Sequence, residues 1–204
     1  LLIFGELRSG EGRGGILISL DAEGKTDVLG YGIEDDSTMT MGTIVSDGTD
    51  LYLAGDKSDK IVSCEILRLT VNDEQIIEGE TAAFVLVSRL FPNVVYSNGV
   101  FIISGGSDNS GVPCTGVERV VIGELSEFVK LDPVLTGKQK TVFSPGALAD
   151  GSFILTGPVS TDGTADTYIL SPEGTLTKYE KRAYTGNILY PASAAYRGNF
   201  YVLG

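Results

Sequence analysis

The sequence predicts an all-β fold built from repeated units of four strands, and three observations lead to it. Short apolar runs, mostly aromatic or branched, end at glycines spaced by 50, 50, 52 and 47 residues, namely Gly5, Gly55, Gly105, Gly157 and Gly204. Such runs are typical of buried strands. Turn pairs precede four of these runs, and no long helical periodicity competes with them.

The turn pairs set the order of strands within a unit. They are Asp47-Gly48, Asn98-Gly99, Asp150-Gly151 and Arg197-Gly198. The first three are strong signals for tight hairpins, because hairpin turns require residues with positive φ. We label the strand before the turn A, the apolar run after it B, and the next two strand candidates C and D. Four strands repeated at a period of about 50 residues are typical of β-propeller blades.

The repeat divides the chain into five units, at residues 1–36, 37–88, 89–141, 142–187 and 188–204. Strand A is expected near 43–46, 94–97, 146–149 and 192–196, and strand C near 61–67, 117–122 and 165–171. Strand D of the second unit has two candidates, Gln75–Ile77 and Ala83–Val87, of which we favour the second. The first unit supplies B, C and D and the last supplies A and B, so the chain holds about four blades' worth of sequence.

A family resemblance agrees with this prediction. Ser104-Gly105-Gly106 ends a hydrophobic strand in a glycine doublet, and Leu170-Ser171-Pro172 is similar to the Tyr-Asp-Pro ending of strand C in kelch repeats. The whole chain resembles kelch-repeat propellers of the kind found in the central domain of galactose oxidase. It departs from the family in having one complete Gly-Gly doublet at the repeat glycines and no tryptophan, which the family often places in strand D. The resemblance implies a kelch-like β-propeller with blades of four antiparallel strands.

The partial units at the two ends raise the question of how such a ring closes. Strand A of the last unit could complete the first unit, but the apolar strand near Phe200–Leu203 would then be left over. An unpaired apolar strand promotes aggregation. We therefore expect that the chain is a fragment of a longer propeller, or that another chain completes the arc.

Composition excludes several classes of function. The 27 acidic and 15 basic residues give a net charge of −12, which argues against nucleic-acid binding. No stretch approaches the roughly 20 apolar residues that span a bilayer. Cys64 and Cys114 lie one period apart at related positions, so we expect no disulfide between them. We favour an extracellular or cell-surface location.

The chain contains no histidine. It therefore lacks Ser-His-Asp and Cys-His catalysis, histidine-ligated zinc and the copper site of oxidases that share this fold. The remaining chemistry lies in the loops between strands B and C, at residues 6–14, 56–60, 107–116 and 158–165, which emerge on one face of a propeller. The candidate ligand-binding residues are Asp56, Asp59, Asp108, Asn109, Asp162, Asp166, Arg89 and Arg197.

Each candidate has a structural alternative. Loops 107–111 and 160–164 are rich in side-chain oxygens that could contact a sugar or calcium, but such residues also cap the backbone of tight loops. Arg89 and Arg197 lie beside strand A, where an arginine would meet an anionic ligand or pair with an acidic residue. The glycine-rich segment 8–15 lacks the Lys-Ser/Thr ending of a phosphate loop, so we interpret it as a flexible loop.

The sequence favours a non-catalytic kelch-like propeller that binds a protein or glycan as part of a larger protein, with no cofactor and no metal. Two alternatives remain open. One is a carbohydrate-active enzyme of the sugar epimerase or mutarotase type, whose site other blades would complete. The other is an open arc completed by oligomerisation. Fold resemblance does not decide between them.

Overall fold

A computed structural model shows the chain as an all-β protein. It describes residues 2–9, 12–20, 23–31, 39–57, 64–71, 75–87, 89–90, 92–108, 110–112, 114, 116–124, 126–129, 143–159, 165–179, 192–196 and 199–203. These residues form seventeen strands and no helix, which confirms the predicted all-β class. Accordingly, no helix among them is long and apolar enough to cross a membrane.

The largest sheet contains the first seven strands. They are β1 (Leu2–Ser9), β2 (Gly12–Leu20), β3 (Thr26–Tyr31), β4 (Met39–Ser46), β5 (Leu51–Lys57), β6 (Cys64–Val71) and β7 (Gln75–Phe84). Their order is β1-β2-β3-β7-β6-β5-β4. Neighbours are antiparallel except β3 and β7, which pair in parallel through Gly30 with Gln75 and Tyr31 with Ile76. The sheet thus joins a three-stranded and a four-stranded meander.

Two further sheets are separate four-stranded antiparallel meanders. One contains β8 (Asn93–Ser97), β9 (Val100–Ser104), β10 (Val117–Val121) and β11 (Glu127–Phe128), and the other β12 (Ser144–Ala147), β13 (Phe153–Val159), β14 (Ala165–Leu170) and β15 (Leu176–Tyr179). In both, neighbours in sequence are neighbours in the sheet.

The last two strands, β16 (Ala192–Tyr196) and β17 (Asn199–Leu203), form a hairpin. Within the described ranges, β16 and β17 pair only with each other, and β1 pairs only with β2. Among the described residues, β16, the strand A of the last unit, thus does not pair with a strand of the first unit to close a ring.

The repeat glycines do not end most of the strands that they were expected to close. Gly5, Gly55 and Gly157 lie inside β1, β5 and β13, because the pairing with the next strand continues past them. Among the repeat glycines that the structure describes, only Gly105 follows the end of its strand, β9, where Gly105 and Gly106 take φ values of 64° and 74°. The loop expected over residues 6–14 is for the same reason mostly strand, with Ser9 paired to Gly12.

Strand D of the second unit also differs from its prediction. β7 covers Gln75–Ile77 and ends at Phe84, so it includes the candidate that we rejected and only the start of the one that we favoured. Two register shifts against β6 let this long strand stay paired past residues 78–81. Sequence alternation is lost at such bulges, which is why the strand looked like two separate candidates.

The three predicted hairpin turns differ in length. Asn98 and Gly99 form a two-residue turn with φ values of 49° and 84°, as expected for this pair. Gly48 and Gly151 also have positive φ, but they lie in longer connections, at residues 47–50 and 148–152. The pair Arg197-Gly198 lies outside the described residues.

Two apolar cores lie between the sheets, with β9 contributing to both. The first joins β4–β7 to β8–β11 and includes Tyr52, Ala54, Ile66, Ala83, Val85, Val94, Phe101, Ile103 and Val120. The second joins β8–β11 to β12–β15 and includes Val100, Ile102, Val117, Val129, Phe143, Phe153, Leu155, Tyr168 and Leu170. Successive β9 side chains point to opposite faces, so the middle sheet is covered on both sides.

The hairpins β4–β5, β8–β9 and β12–β13 lie side by side and run in the same direction. At one end of β8, Asn93 Nδ2 donates to the Phe143 carbonyl oxygen, 3.5 Å away and just before β12. At the other end, a Cβ on Gly151 would lie 2.4 Å from Asn98 Nδ2, so the two turns touch. The rings of Tyr52 and Tyr96 stack with centroids 6.3 Å apart near the preceding turn. The turns thus share one end of the stack, here called the turn end.

Candidate functional site

The opposite end of the stack brings together the strand ends that flank the predicted loops. β5, β9 and β13 run away from the turn end, so they end here. β6, β10 and β14 begin here and run back toward the turn end. We call this end the loop face. Among the predicted site residues, Asp56 lies near the end of β5, Asp108 in the loop after β9, and Asp166 near the start of β14.

Of the remaining predicted site residues, four lie outside the described part of the chain and Arg89 is buried. Asp59, Asn109, Asp162 and Arg197 lie outside it. Asp56 is placed only by its backbone, which pairs with Met41 and Cys64. Arg89 lies between β7 and β8. Contact of these residues with a ligand therefore stays a prediction.

Asp108 uses its carboxylate to hold its own loop. Oδ1 accepts hydrogen bonds of 2.8 Å from the backbone N–H groups of both Ser110 and Val112. The Asp108 N–H donates to the Val112 carbonyl, and its carbonyl accepts from the Gly111 N–H, each at 2.9 Å. This is the capping role that the sequence left open beside ligand contact. It leaves the loop exposed but internally bonded.

Asp166 pairs with a lysine that the sequence analysis did not single out. Lys178 Nζ on β15 lies 2.9 Å from Asp166 Oδ2, with the lysine side chain 61% exposed and the aspartate 18%. Residues on adjacent strands of one sheet face are natural partners for such pairs. Because the lysine is largely exposed, the pair contributes little to stability, and the Lys178 ammonium group remains open to solvent.

Arg89 is fully buried rather than placed on the surface. Its Nη2 lies 3.1 Å from Glu118 Oε1, and its Nη1 donates to the Gly105 carbonyl at 3.0 Å. Both side chains of the ion pair are 0% exposed. Of the two roles considered for Arg89, the structure thus shows pairing with an acidic residue.

Glu118 organises the surrounding backbone. Its Oε2 accepts hydrogen bonds from the Leu86 N–H at 2.7 Å and from Ser126 Oγ at 3.0 Å, and its Oε1 accepts from the Val87 N–H at 3.2 Å. A buried carboxylate is tolerated when it is paired and hydrogen-bonded in this way. Sequence reasoning missed Glu118. The available signal was its position two residues before Val120, which places it on the core face of β10.

Cys114 lies beside this ion pair. Its side chain is buried, its N–H donates to the Gly106 carbonyl at 2.9 Å, and it forms no disulfide. Burial raises the pKa of the Cys114 thiol, with the nearby Arg89 guanidinium opposing that effect. The thiol is therefore protonated at neutral pH and is a poor nucleophile.

The described part of the chain offers no ready metal centre. Within it, no group of three or more histidine, cysteine, aspartate or glutamate residues is arranged to hold an ion. At the one calcium-like loop that it covers, Asp108 Oδ1 is committed to the amides of Ser110 and Val112. What the loop face can offer there is a set of hydrogen-bonding groups on fixed strands.

Comparison with known proteins gives a structural likeness. No protein-family model matches the chain, and no curated protein sequence matches it. Its structure is similar to the solved structure of YjhT, with a TM-score of 0.56 across 98% of this chain and 76% of that chain. Sequence identity is 12%, so the likeness concerns the fold alone.

Proposed function

We propose that this chain is a kelch-like β-propeller, or part of one, that binds a protein or glycan through its loop face without catalysing a reaction. The four-stranded meanders are proposed to be blades. Support comes from the way they stack, since β8 contacts both β4 and β12, and β12 contacts β16. β4, β8, β12 and β16 are the first strands of their units. In a propeller, the first strands of successive blades lie next to one another around the central axis.

One observation supports the binding role above the others. The hairpins β4–β5, β8–β9 and β12–β13 lie side by side, so β5, β9 and β13 all end at the loop face, where the connections to β6, β10 and β14 begin. These are the loops that hold most of the predicted ligand-binding residues. Binding residues are commonly placed on loops that a rigid scaffold positions. Two packed cores supply that rigidity here.

The charged groups of the site suit recognition better than acid-base chemistry. Arg89 and Glu118, the buried pair, are occupied by each other and by backbone groups. The pair of Asp166 and Lys178, of which the lysine side chain is 61% exposed and the aspartate 18%, places an acceptor and a donor side by side. Adjacent acceptor and donor groups of this kind match the hydroxyls of a sugar or the backbone of a peptide.

A glycan array probed with the purified chain, followed by calorimetric titration of the strongest glycan, tests the proposal. We expect Asp166→Asn to weaken binding at least about tenfold, the usual cost of losing a charged hydrogen-bond partner. Asp150→Asn is the matched control, since it removes the same charge at the turn end, where Asp150 is exposed. It should leave the Kd unchanged.

A protein ligand is sought in parallel by photo-crosslinking from a reactive residue placed at position 112, whose side chain is exposed in the same loop, or at position 150. The proposal expects a discrete crosslinked partner from position 112 only. Equal crosslinking from both positions, together with no glycan whose binding depends on Asp166, would overturn it.

A further inference from the structure

Residues 85–87 and 89–90, here called the strap, lie between β7 and β8 and form hydrogen bonds to the next sheet through Leu86, Val87, Arg89 and Leu90. The Leu86 N–H donates both to Glu118 Oε2 and, at 3.0 Å, to Ser126 Oγ. Further along, the Leu90 N–H donates to the Ser107 carbonyl at 2.8 Å, and the Ser107 N–H returns a bond to the Leu90 carbonyl at 3.1 Å. The strap therefore spans from β10 to the loop after β9.

That loop packs directly on the strap. Gly106 has so little room that a Cβ there would lie 2.6 Å from the Leu90 carbonyl oxygen and 3.3 Å from Arg89 Cβ. The Gly106 carbonyl in turn accepts the Cys114 N–H, which closes the base of the loop. Strap and loop are thus in contact at Gly106 and Ser107, just before Asp108.

The buried ion pair joins the two segments. Arg89 belongs to the strap, and its guanidinium binds Glu118 on β10 and the Gly105 carbonyl at the start of the loop. Arg89 Nε is buried and has no hydrogen-bond partner among the described residues. A buried donor without a partner carries a desolvation cost, which exposure to water on opening would relieve.

We infer that the Arg89–Glu118 pair is a latch, by which the strap and the described part of the loop after β9, residues 105–108, 110–112 and 114, open and close as one unit. In the latched state the loop holds the conformation in which Asp108 caps it on the loop face. That this loop conformation serves recognition rests on the proposed function. The existence of the latch does not depend on that function.

The buried thiol of Cys114 reports the opening without any ligand. In a Cys64→Ser background, the rate of labelling by an aromatic disulfide reagent under native conditions measures how often Cys114 becomes exposed. Glu118→Gln leaves a buried guanidinium without its counter-charge, and Arg89→Met leaves a buried carboxylate. We expect either change to speed labelling at least about tenfold, because breaking one side of a buried pair is strongly destabilising.

Arg119→Met is the matched control. Arg119 lies next to Glu118 on β10 but pairs with Glu127, whose side chain is 59% exposed. Arg119 Nε also donates to the Pro172 carbonyl, away from the strap, so its loss should change the labelling rate by less than about twofold. The double variant Arg89→Met with Glu118→Gln removes both buried charges but keeps a side-chain oxygen that can accept the Leu86 N–H, and it should return the rate toward that of the parent.

Hydrogen exchange decides whether the opening is local. Amides of the strap and loop, such as those of Leu86 and Val112, should lose protection together in Glu118→Gln, while Leu155 in β13 keeps its protection. Labelling no faster than in Arg119→Met would overturn the latch. Loss of protection in β13 in step with Cys114 labelling would also overturn it, because the opening would then be global. Neither result depends on whether the loop face binds a ligand.

Discussion

At Gly106 the lack of a side chain decides how closely two segments approach. Gly106 has a φ of 74°, and a Cβ there would clash with the Leu90 backbone at 2.6 Å. Gly111 has a φ of 76° but nothing within 4 Å of its Cβ position, so it is a matched control. We expect Gly111→Ala to cost about 1 to 2 kcal/mol from backbone conformation alone.

Gly106→Ala should cost the same amount plus roughly 1 to 3 kcal/mol for displacing the strap. Urea denaturation of the two variants measures both free energies of unfolding. An equal decrease in the free energy of unfolding of the two variants would show that the strap moves aside at no cost, contrary to the close packing at Gly106. The contrast is informative because the two glycines share a backbone conformation and differ in their surroundings.

The site shows why residue roles were harder to predict than residue positions. Glycine pairs and acidic loop residues were visible in the sequence, and Asp108 and Asp166 do lie at the loop face. The interior position of Arg89 was not visible, because it depends on a partner 29 residues away. Pairing over that distance is set by the packing of sheets, which local patterns do not encode.

At the scale of elements, the connection between β4 and β5 is held by one carboxylate. Asp47 Oδ1 accepts from the N–H groups of Asp50 at 2.7 Å and Thr49 at 2.8 Å, while Oδ2 accepts from Tyr52 Oη at 3.0 Å. The bonds from the Asp50 and Thr49 backbone lower the pKa of Asp47 below its usual 3.8. Burial of the Tyr52 ring, together with its hydrogen bond to the Asp47 carboxylate, raises the pKa of Tyr52 to about 12.

The sign of the pH effect follows from the lowered pKa. Asp47 is charged more readily in the folded state, so its contribution to stability is present above the unfolded pKa of about 3.9. It is lost as the pH falls through the lower folded value. We expect Asp47→Ala to destabilise the protein at pH 6 and to differ progressively less from the parent below pH 4. Urea midpoints over this range measure the difference, and a constant difference would contradict the assignment.

Strand positions followed from the sequence better than strand limits did. The A, B and C strands of the predicted units have counterparts near the expected residues, since each is marked by a turn or an apolar run. Strand ends depended on whether pairing continued past a glycine, as at Gly55 and Gly157. The parallel pairing of β3 with β7 had no local signal, because it joins the outermost strands of two meanders.

At the scale of the whole molecule, the middle sheet links its neighbours. Phe101 on β9 is fully buried in the first core, with its ring 5.1 Å from that of Tyr52 and 4.8 Å from that of Tyr96. The adjacent Val100 and Ile102 belong to the second core instead. Removal of the Phe101 side chain should therefore destabilise β12–β15 only if the two cores unfold together.

We expect that they do, because a single short strand supplies both cores and cannot unfold on one face only. Phe101→Ala should cost about 3 to 5 kcal/mol. Amide exchange should then show an equal loss of protection in β5, β9 and β13. Tyr201→Ala, at a side chain 52% exposed, is the control and should change none of the three. If β13 keeps its full protection in Phe101→Ala, the sheets unfold one at a time, as stacked repeats do when their interfaces are weak.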